Sequence, residues 1–252
     1  MHNMPVSARV LMRDAGSQTD VGNPSKVAGH IGGVSAARRG GAAVEPKAKE
    51  EAPMFLETAH TKLPIEFRGR EVHFDAHAYE DESASYQAMA IVYRPKVSST
   101  STPVVRVHSG CVTGDIFHSL RCDCYQQLQK ALERVVDCEH GIIIYLPYHE
   151  GRGIGLVKKL QAYAEQDRGL DTVDANLSVG APVDSRDYEL AAKILKDLQA
   201  TEIRLMTNNP LKVEALRGHG IDVVEQVPHI VAPSPYNARY LATKKERMAH
   251  KL

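Results

Sequence analysis

The stretch GIIIYLP, residues 141–147, constrains the fold of this 252-residue chain more than any other. A strand sends alternate side chains to opposite faces, so an unbroken apolar run must be covered on both. Segments with helical spacing supply the cover. In YQQLQKALERVV, residues 125–136, Leu128, Ala131, Leu132 and Val135 share one face. GLVKKLQAYAEQD and DYELAAKILKDLQA read as two further helices. IRLMTNN reads as a strand ending in turn residues, PLKVEALRGHG as a short helix and IDVVEQVP as a strand, with a C-terminal helix after SPYNARY. Upstream, EFRGREVHFDAHAYE alternates as hairpin strands do, and QAMAIVYRP and PVVRVHS read as further strands. Strands alternating with helices after this start predict an α/β fold of mixed (α+β) character, with antiparallel N-terminal strands and a βα core. There is no internal repeat.

Residues 1–54 have a different texture. They contain no aromatic residue and are rich in Gly, Ala and Ser. Such a segment buries too little apolar surface to offset its ordering entropy, so disorder is expected there and a folded domain over 55–252. Early Arg9 and Arg13 suit a mitochondrial transit peptide, whereas Asp14 and Asp20 weaken that reading. No stretch approaches the ~20 apolar residues of a membrane span, and the start lacks the apolar core of a secretory signal. Lys+Arg and Asp+Glu both number 31, so net charge attracts neither nucleic acid nor membrane, and an anionic ligand must meet a local cluster.

Three of the four cysteines crowd into CVTGDIFHSLRCDC, as Cys111, Cys122 and Cys124. Four in a chain this long make no disulfide scaffold, which favours a reducing compartment with metal or catalytic use. The C-x-C pair puts two sulfurs near each other, and a third from across the loop would leave a fourth metal position open, as catalytic sites do. The competing readings are three small buried side chains or a redox pair. Cys138, near a helix end, reads as incidental. His108 and His118 are candidates for a fourth ligand.

VRVHSGCVTGDIFHSLRCDC closely resembles the zinc motif of the GTP cyclohydrolase II family, and the likeness continues through EGRGIGL, AYAEQDRGLDTVDAN, VDSRDY, LMTNNPLKVEAL and GIDVVEQVP. The resemblance covers roughly residues 106–252. It implies opening of the guanine imidazole ring of GTP, with release of formate and pyrophosphate, as the first step of riboflavin synthesis. A zinc ion would supply an activated water and magnesium would accompany the triphosphate. By the same resemblance Cys111, Cys122 and Cys124 are the zinc ligands. Asp184 matches the proton acceptor, Arg186 matches the family's arginine nucleophile at the α-phosphate and is read here as engaging that phosphate, and Tyr163 lies against the reacting base. Arg106, Val107, His108, Ser109, Gln127, Glu150, Gly151, Arg152, Thr172, Thr207 and Lys212 contact GTP. By itself DSRD would read as a helix start capped by Asp184.

Two departures stand out. Gly110 occupies the position before the first cysteine where family members carry Glu. YLPYHEGR has one residue more than the family's YLRQEGR, with Pro147, Tyr148 and His149 in place of Arg-Gln. Tyr148 is expected either to enter the nucleotide space or to bulge outward. Two functions follow: an active GTP cyclohydrolase II, or a homologue that keeps the fold and binds another ligand or partner without turnover. The resemblance also implies a homodimer. The expected location is cytoplasmic, with a peroxisome-like organelle (from His250-Lys251-Leu252) or the mitochondrion as alternatives.

Overall fold

The computed structural model describes residues 56–80, 86–94, 101–138, 140–237 and 242. The chain divides into Met1–Lys49 and Glu50–Leu252, and every described residue belongs to the second unit. The expected disorder of residues 1–54 and the C-terminal tripeptide lie outside the described residues, as does the helix after SPYNARY apart from the helical Ala242.

One seven-stranded sheet organises the chain in the order β1-β2-β3-β5-β4-β6-β7. Its strands are β1 (Leu56–Phe67), β2 (Arg70–Glu80), β3 (Gln87–Tyr93), β4 (Val104–Ser109), β5 (Gly141–Leu146), β6 (Glu202–Met206) and β7 (Asp222–Val227). The first three run antiparallel, and β3 pairs antiparallel with β5. The β5–β4, β4–β6 and β6–β7 pairs are parallel. The mixed character read from the sequence is therefore present, divided at β5. Arg68 and Gly69 join β1 to β2 with φ of 54° and 69°. Two positive-φ residues give the tight turn whose twist matches that of the paired strands.

Helices cover both faces. α1 (Cys124–Asp137) lays Ala131, Leu132 and Val135 against Val104, Ile143 and Phe74. On the other face α4 (Glu189–Asp197) and α5 (Pro210–Gly218) pack Leu190, Ile194, Leu195 and Leu216 against Val105, Val107, Ile142 and Ile144. Two more helices lie between β5 and α4, namely α2 (Gly155–Asp167) and α3 (Thr172–Ser178). Alternate isoleucines of β5 thus enter different cores, which is why the run carries no polar residue facing out. Each fully buried side chain of this size stabilises by about 1.5–3 kcal/mol.

The topology also creates a crevice. From β4 the chain passes through α1 to β5 on one side, while from β6 it passes through α5 to β7 on the other. β4 and β6 are neighbours, so the loops leaving their carboxyl ends diverge, and ligands of open α/β sheets bind at such reversals.

Candidate active site

The sulfur cluster forms where β4 ends. Cys111 follows the strand, residues Val112–Ile116 make one wide helical turn, and Cys124 opens α1. Cys111 Sγ and Cys122 Sγ lie 3.7 Å apart. The donor atoms of Cys111, Cys122 and Cys124 all fall within 4.8 Å of one another. Gly114 is what lets them meet: a Cβ there would sit 2.8 Å from Cys124 Cβ, 2.9 Å from Cys122 Sγ and 3.0 Å from Cys111 Sγ. The thiols do not ionise alike. Hydrogen bonds from Cys122 and Cys124, helped by the nearby Lys159 ammonium, hold Cys111 far below the ordinary thiol range. Beside that thiolate, Cys122 is pushed up to about 11, and Cys124 also rises well above its usual value. A sulfur trio with one concentrated negative charge is a ready soft-metal site.

Neither candidate fourth ligand joins the cluster. His118 is exposed and packs its ring on Tyr125, with centroids 3.9 Å apart. His108 Nε2 is 3.2 Å from both oxygens of Asp115, whose carboxylate also accepts from Cys111 N at 2.9 Å and Tyr145 Oη at 3.1 Å. Burial lowers the His108 pKa. Cys138 ends α1, away from the trio, and packs against the α1-side core. Among the described residues one other donor group occurs, Glu57, His60 and His77 on the β1–β2 hairpin, and it is far more exposed.

A cleft opens from the sulfurs across the carboxyl ends of β4 and β6. Apart from Val107, Glu150 and Asp184, every residue that the family resemblance assigns to the site lines it. Val107 serves from behind, its carbonyl accepting from Lys212 Nζ at 2.8 Å. Glu150 is buried as a brace: its carboxylate accepts from Val112 N and Lys159 Nζ, both at 2.6 Å. Asp184 receives the Arg186 guanidinium through Nε at 2.8 Å and through the terminal nitrogen NH2. Burial alone would raise the Asp184 pKa, but hydrogen bonds and charge from Arg186 bring it below the usual carboxylate value. Asp184 is therefore not a helix cap. α4 starts later, at Glu189, whose N–H is received by Asp187 at 3.2 Å.

The walls are cationic. Arg106, buried in β4, donates to Met206 O at 3.0 Å and to Gln127, which in turn donates to Asp123. Burial lowers its pKa to about 10, so it stays charged at neutral pH. Gly151, Arg152 and Gly153 take successive positive φ of 61°, 66° and 87°, folding the turn so that Arg152 faces the cleft just before α2. Thr172 enters at the first turn of α3, where Asp171 caps Val173 N at 2.7 Å. Thr207 follows β6, its hydroxyl receiving Asn209 N at 3.1 Å.

Three contributors were missed in the sequence. Lys159 donates to Cys111 Sγ at 3.0 Å and Thr113 Oγ1 at 2.8 Å, besides Glu150. Its signal was present, since Lys159, Ala162, Tyr163 and Gln166 fall at helical spacing and all line the cleft. Asp115 had no such signal, because its neighbours come from three segments. His149 was noticed only as part of the altered loop. Tyr148, the residue expected to intrude or bulge, instead packs against the core and Tyr86, with ring centroids 4.7 Å apart. It is His149 that faces the cleft.

Residues 57–228 match the protein family described as GTP cyclohydrolase II. A relative named GTP cyclohydrolase-2 from Streptomyces coelicolor is 50% identical over 179 residues, covering 71% of this chain and 80% of that protein. Another of that name from Acinetobacter baylyi is 45% identical over 192 residues, covering 76% of this chain and 94% of its own. The riboflavin biosynthesis protein RibBA of Aquifex aeolicus is 46% identical over 177 residues, 70% of this chain but 43% of that protein. The chain spans less than half the length of the curated relatives of this last name.

Proposed function

Because this chain belongs to the GTP cyclohydrolase II family, we propose that it opens the guanine imidazole ring of GTP by zinc-dependent hydrolysis, releasing formate and pyrophosphate as the first step of riboflavin synthesis. One observation carries the reading: a three-thiol soft-metal site and a cationic wall share a single cleft at the sheet's reversal point. A polyanionic nucleotide needs the second, and a ring carbon attacked by water needs the first.

Cys111, Cys122 and Cys124 would hold zinc through their Sγ atoms. Three cysteines and the room Gly114 leaves between them fit a tetrahedral thiophilic ion. When bound, zinc supplies Lewis acidity and lowers the pKa of a coordinated water to ~7. Lys159 offsets part of the thiolate charge, and Glu150 fixes both Lys159 and the backbone N–H of Val112. Tyr163, with the Arg121 guanidinium 4.7 Å and the Lys159 ammonium 5.7 Å from its ring centroid, lines the cleft where the base would lie. Arg152, Lys212 and Arg186 line the cleft and would meet the phosphates, with magnesium as a mobile counter-charge. Asp184 stays ionised at neutral pH, so it orients Arg186 and can accept a proton during cleavage of the α–β phosphoanhydride.

A homodimer and a cytoplasmic site of action belong to the same proposal. Ile116, Phe117 and Leu120 beside the sulfur loop, and Leu156, Val157 and Leu160 on α2, are exposed large apolar side chains, with Phe117 at 75% and Val157 at 71%. Lys159 Nζ bound to Thr113 Oγ1 ties these two segments together. Exposed apolar side chains gathered on two linked segments suit the interface of such a dimer. Among the described residues no helix is long and apolar enough to cross a membrane.

The test is anaerobic turnover of GTP with magnesium by zinc-loaded protein, following formate and the diaminopyrimidinone. Formation of both is expected. Zinc-loaded protein that neither turns over GTP nor binds it by calorimetry would overturn the reading.

A further inference from the structure

His149 is a buried cleft residue that neither the sulfurs nor the cationic wall explains. It comes from the turn Pro147–Arg152 and is 1% exposed. Its Nδ1 lies 3.2 Å from Ser109 Oγ, and the same hydroxyl accepts from Arg186 NH1, also at 3.2 Å. The serine hydroxyl thus receives the guanidinium N–H and can pass its own hydrogen to the imidazole. The ring has little room to turn, standing edge-on to Tyr148 at 4.6 Å and to Tyr188 at 5.5 Å. Burial, with the charges of Arg186 and Lys212, keeps it neutral, its pKa lowered to about 3.

What allows the turn to sit there is Gly110. Its N–H donates to Leu146 O at 2.9 Å, joining the ends of β4 and β5. A Cβ at 110 would lie 2.9 Å from Pro147 Cα, 3.1 Å from Leu146 O and 3.1 Å from Tyr145 Oη. Two of those atoms are backbone, so the conflict has no side-chain escape. Any side chain at 110 must displace the turn that carries His149.

We propose that Gly110 and His149 form one positioning device, in which the bare backbone at 110 seats Pro147 and the turn so placed delivers the imidazole to Ser109, setting the Arg186 guanidinium for the ligand's phosphate. The proposal rests on the reading of Arg186 given above. His149 acts through Ser109 and Arg186, so it is a positioning residue. The two departures in the sequence, Gly110 and the turn that begins 37 positions later at Pro147, are then a single adjustment.

Three variants test it: His149→Phe, which keeps the bulk and loses the hydrogen bond, His149→Asn, which retains a polar partner, and Gly110→Ala. A misplacement of about 1 Å costs about 100-fold in rate, so His149→Phe is expected to lower kcat by about tenfold or more with KM little changed. His149→Asn should recover most of that loss. Gly110→Ala should produce the same kcat defect, and the Gly110→Ala/His149→Phe double variant should be no slower than the worse single one. Unchanged kcat in His149→Phe, no recovery in His149→Asn, or losses that multiply in the double variant would each overturn the device. If the wild-type protein proves unable to turn over GTP, the functional reading falls by itself. The pairing is then decided by melting temperatures across the same Gly110/His149 cycle, where strictly additive losses overturn it and a smaller combined loss upholds it.

Discussion

At the scale of single residues, the sulfur trio is a site of close tolerances. Cys122→Ser removes one of three donors and should abolish stoichiometric zinc, read by elemental analysis of dialysed protein. Full zinc content in that variant would count against the ligand assignment. Gly114→Ala should weaken zinc by about 10–100-fold, the range seen when a ligand's surroundings are disturbed, because the added methyl meets two sulfurs and a Cβ within 3.0 Å. Competition with a chromophoric chelator would measure it. Acid sensitivity is also written at this scale. His149 and His229 are buried, and burial chiefly lowers each pKa to about 3. A histidine held neutral on folding takes up a proton on unfolding once the pH is below about 6.5, so its contribution is full above that value and is lost as pH falls toward 3. Each such group steepens the loss by up to ~1.4 kcal/mol per pH unit. His229 donates from Nε2 to Gln127 O at 2.9 Å, and His229→Gln should flatten the dependence of melting temperature on pH between 6.5 and 4. An unaltered slope would place the acid lability elsewhere.

At the scale of elements, β5 was legible because composition alone demanded two covered faces, and the pattern of α1 was legible because its apolar residues recur at 3.6. The prediction that belongs here is Ile144→Ala. Ile144 is fully buried between β3 and β4 and packs against the α4–α5 side, so the truncation should cost about 2–5 kcal/mol in chemical denaturation. Zinc content should hold, since Ile144 belongs to the α4–α5-side core, which contains none of the three cysteines. Other elements were beyond a pattern reading. α3 is seven residues long, too short for periodicity to emerge, and its N-cap Asp171 precedes no apolar run that would announce a helix. The first strand begins at Leu56, earlier than the alternation announced, because ETAHT places polar side chains on both exposed faces of an edge strand. Within the site, residues on the family motifs came together and Lys159 was legible through its helical spacing from Tyr163, whereas Asp115 and the role of His149 depend on contacts 30 and 40 positions apart that no local pattern encodes. The fork from Arg186 to Asp184 likewise replaced a helix cap only because α4 starts at Glu189.

At the scale of the whole molecule, the chain is a mixed sheet in which chemistry and scaffold occupy different strands. The exposed apolar residues near the sulfur loop and on α2 give the proposed dimer a measurable form. Val157→Asp or Phe117→Asp should shift the protein toward monomer in sedimentation velocity at micromolar concentration, while a chain already monomeric in wild-type form would remove the dimer from the proposal. The segregation of strands has a practical side as well. No residue of β1, β2 or β3 lines the cleft, and the Arg68–Gly69 turn closes the hairpin at its far strand pair. That turn is accordingly the place to graft a fluorophore or an affinity handle, giving a reporter whose attachment chemistry stays clear of the thiols.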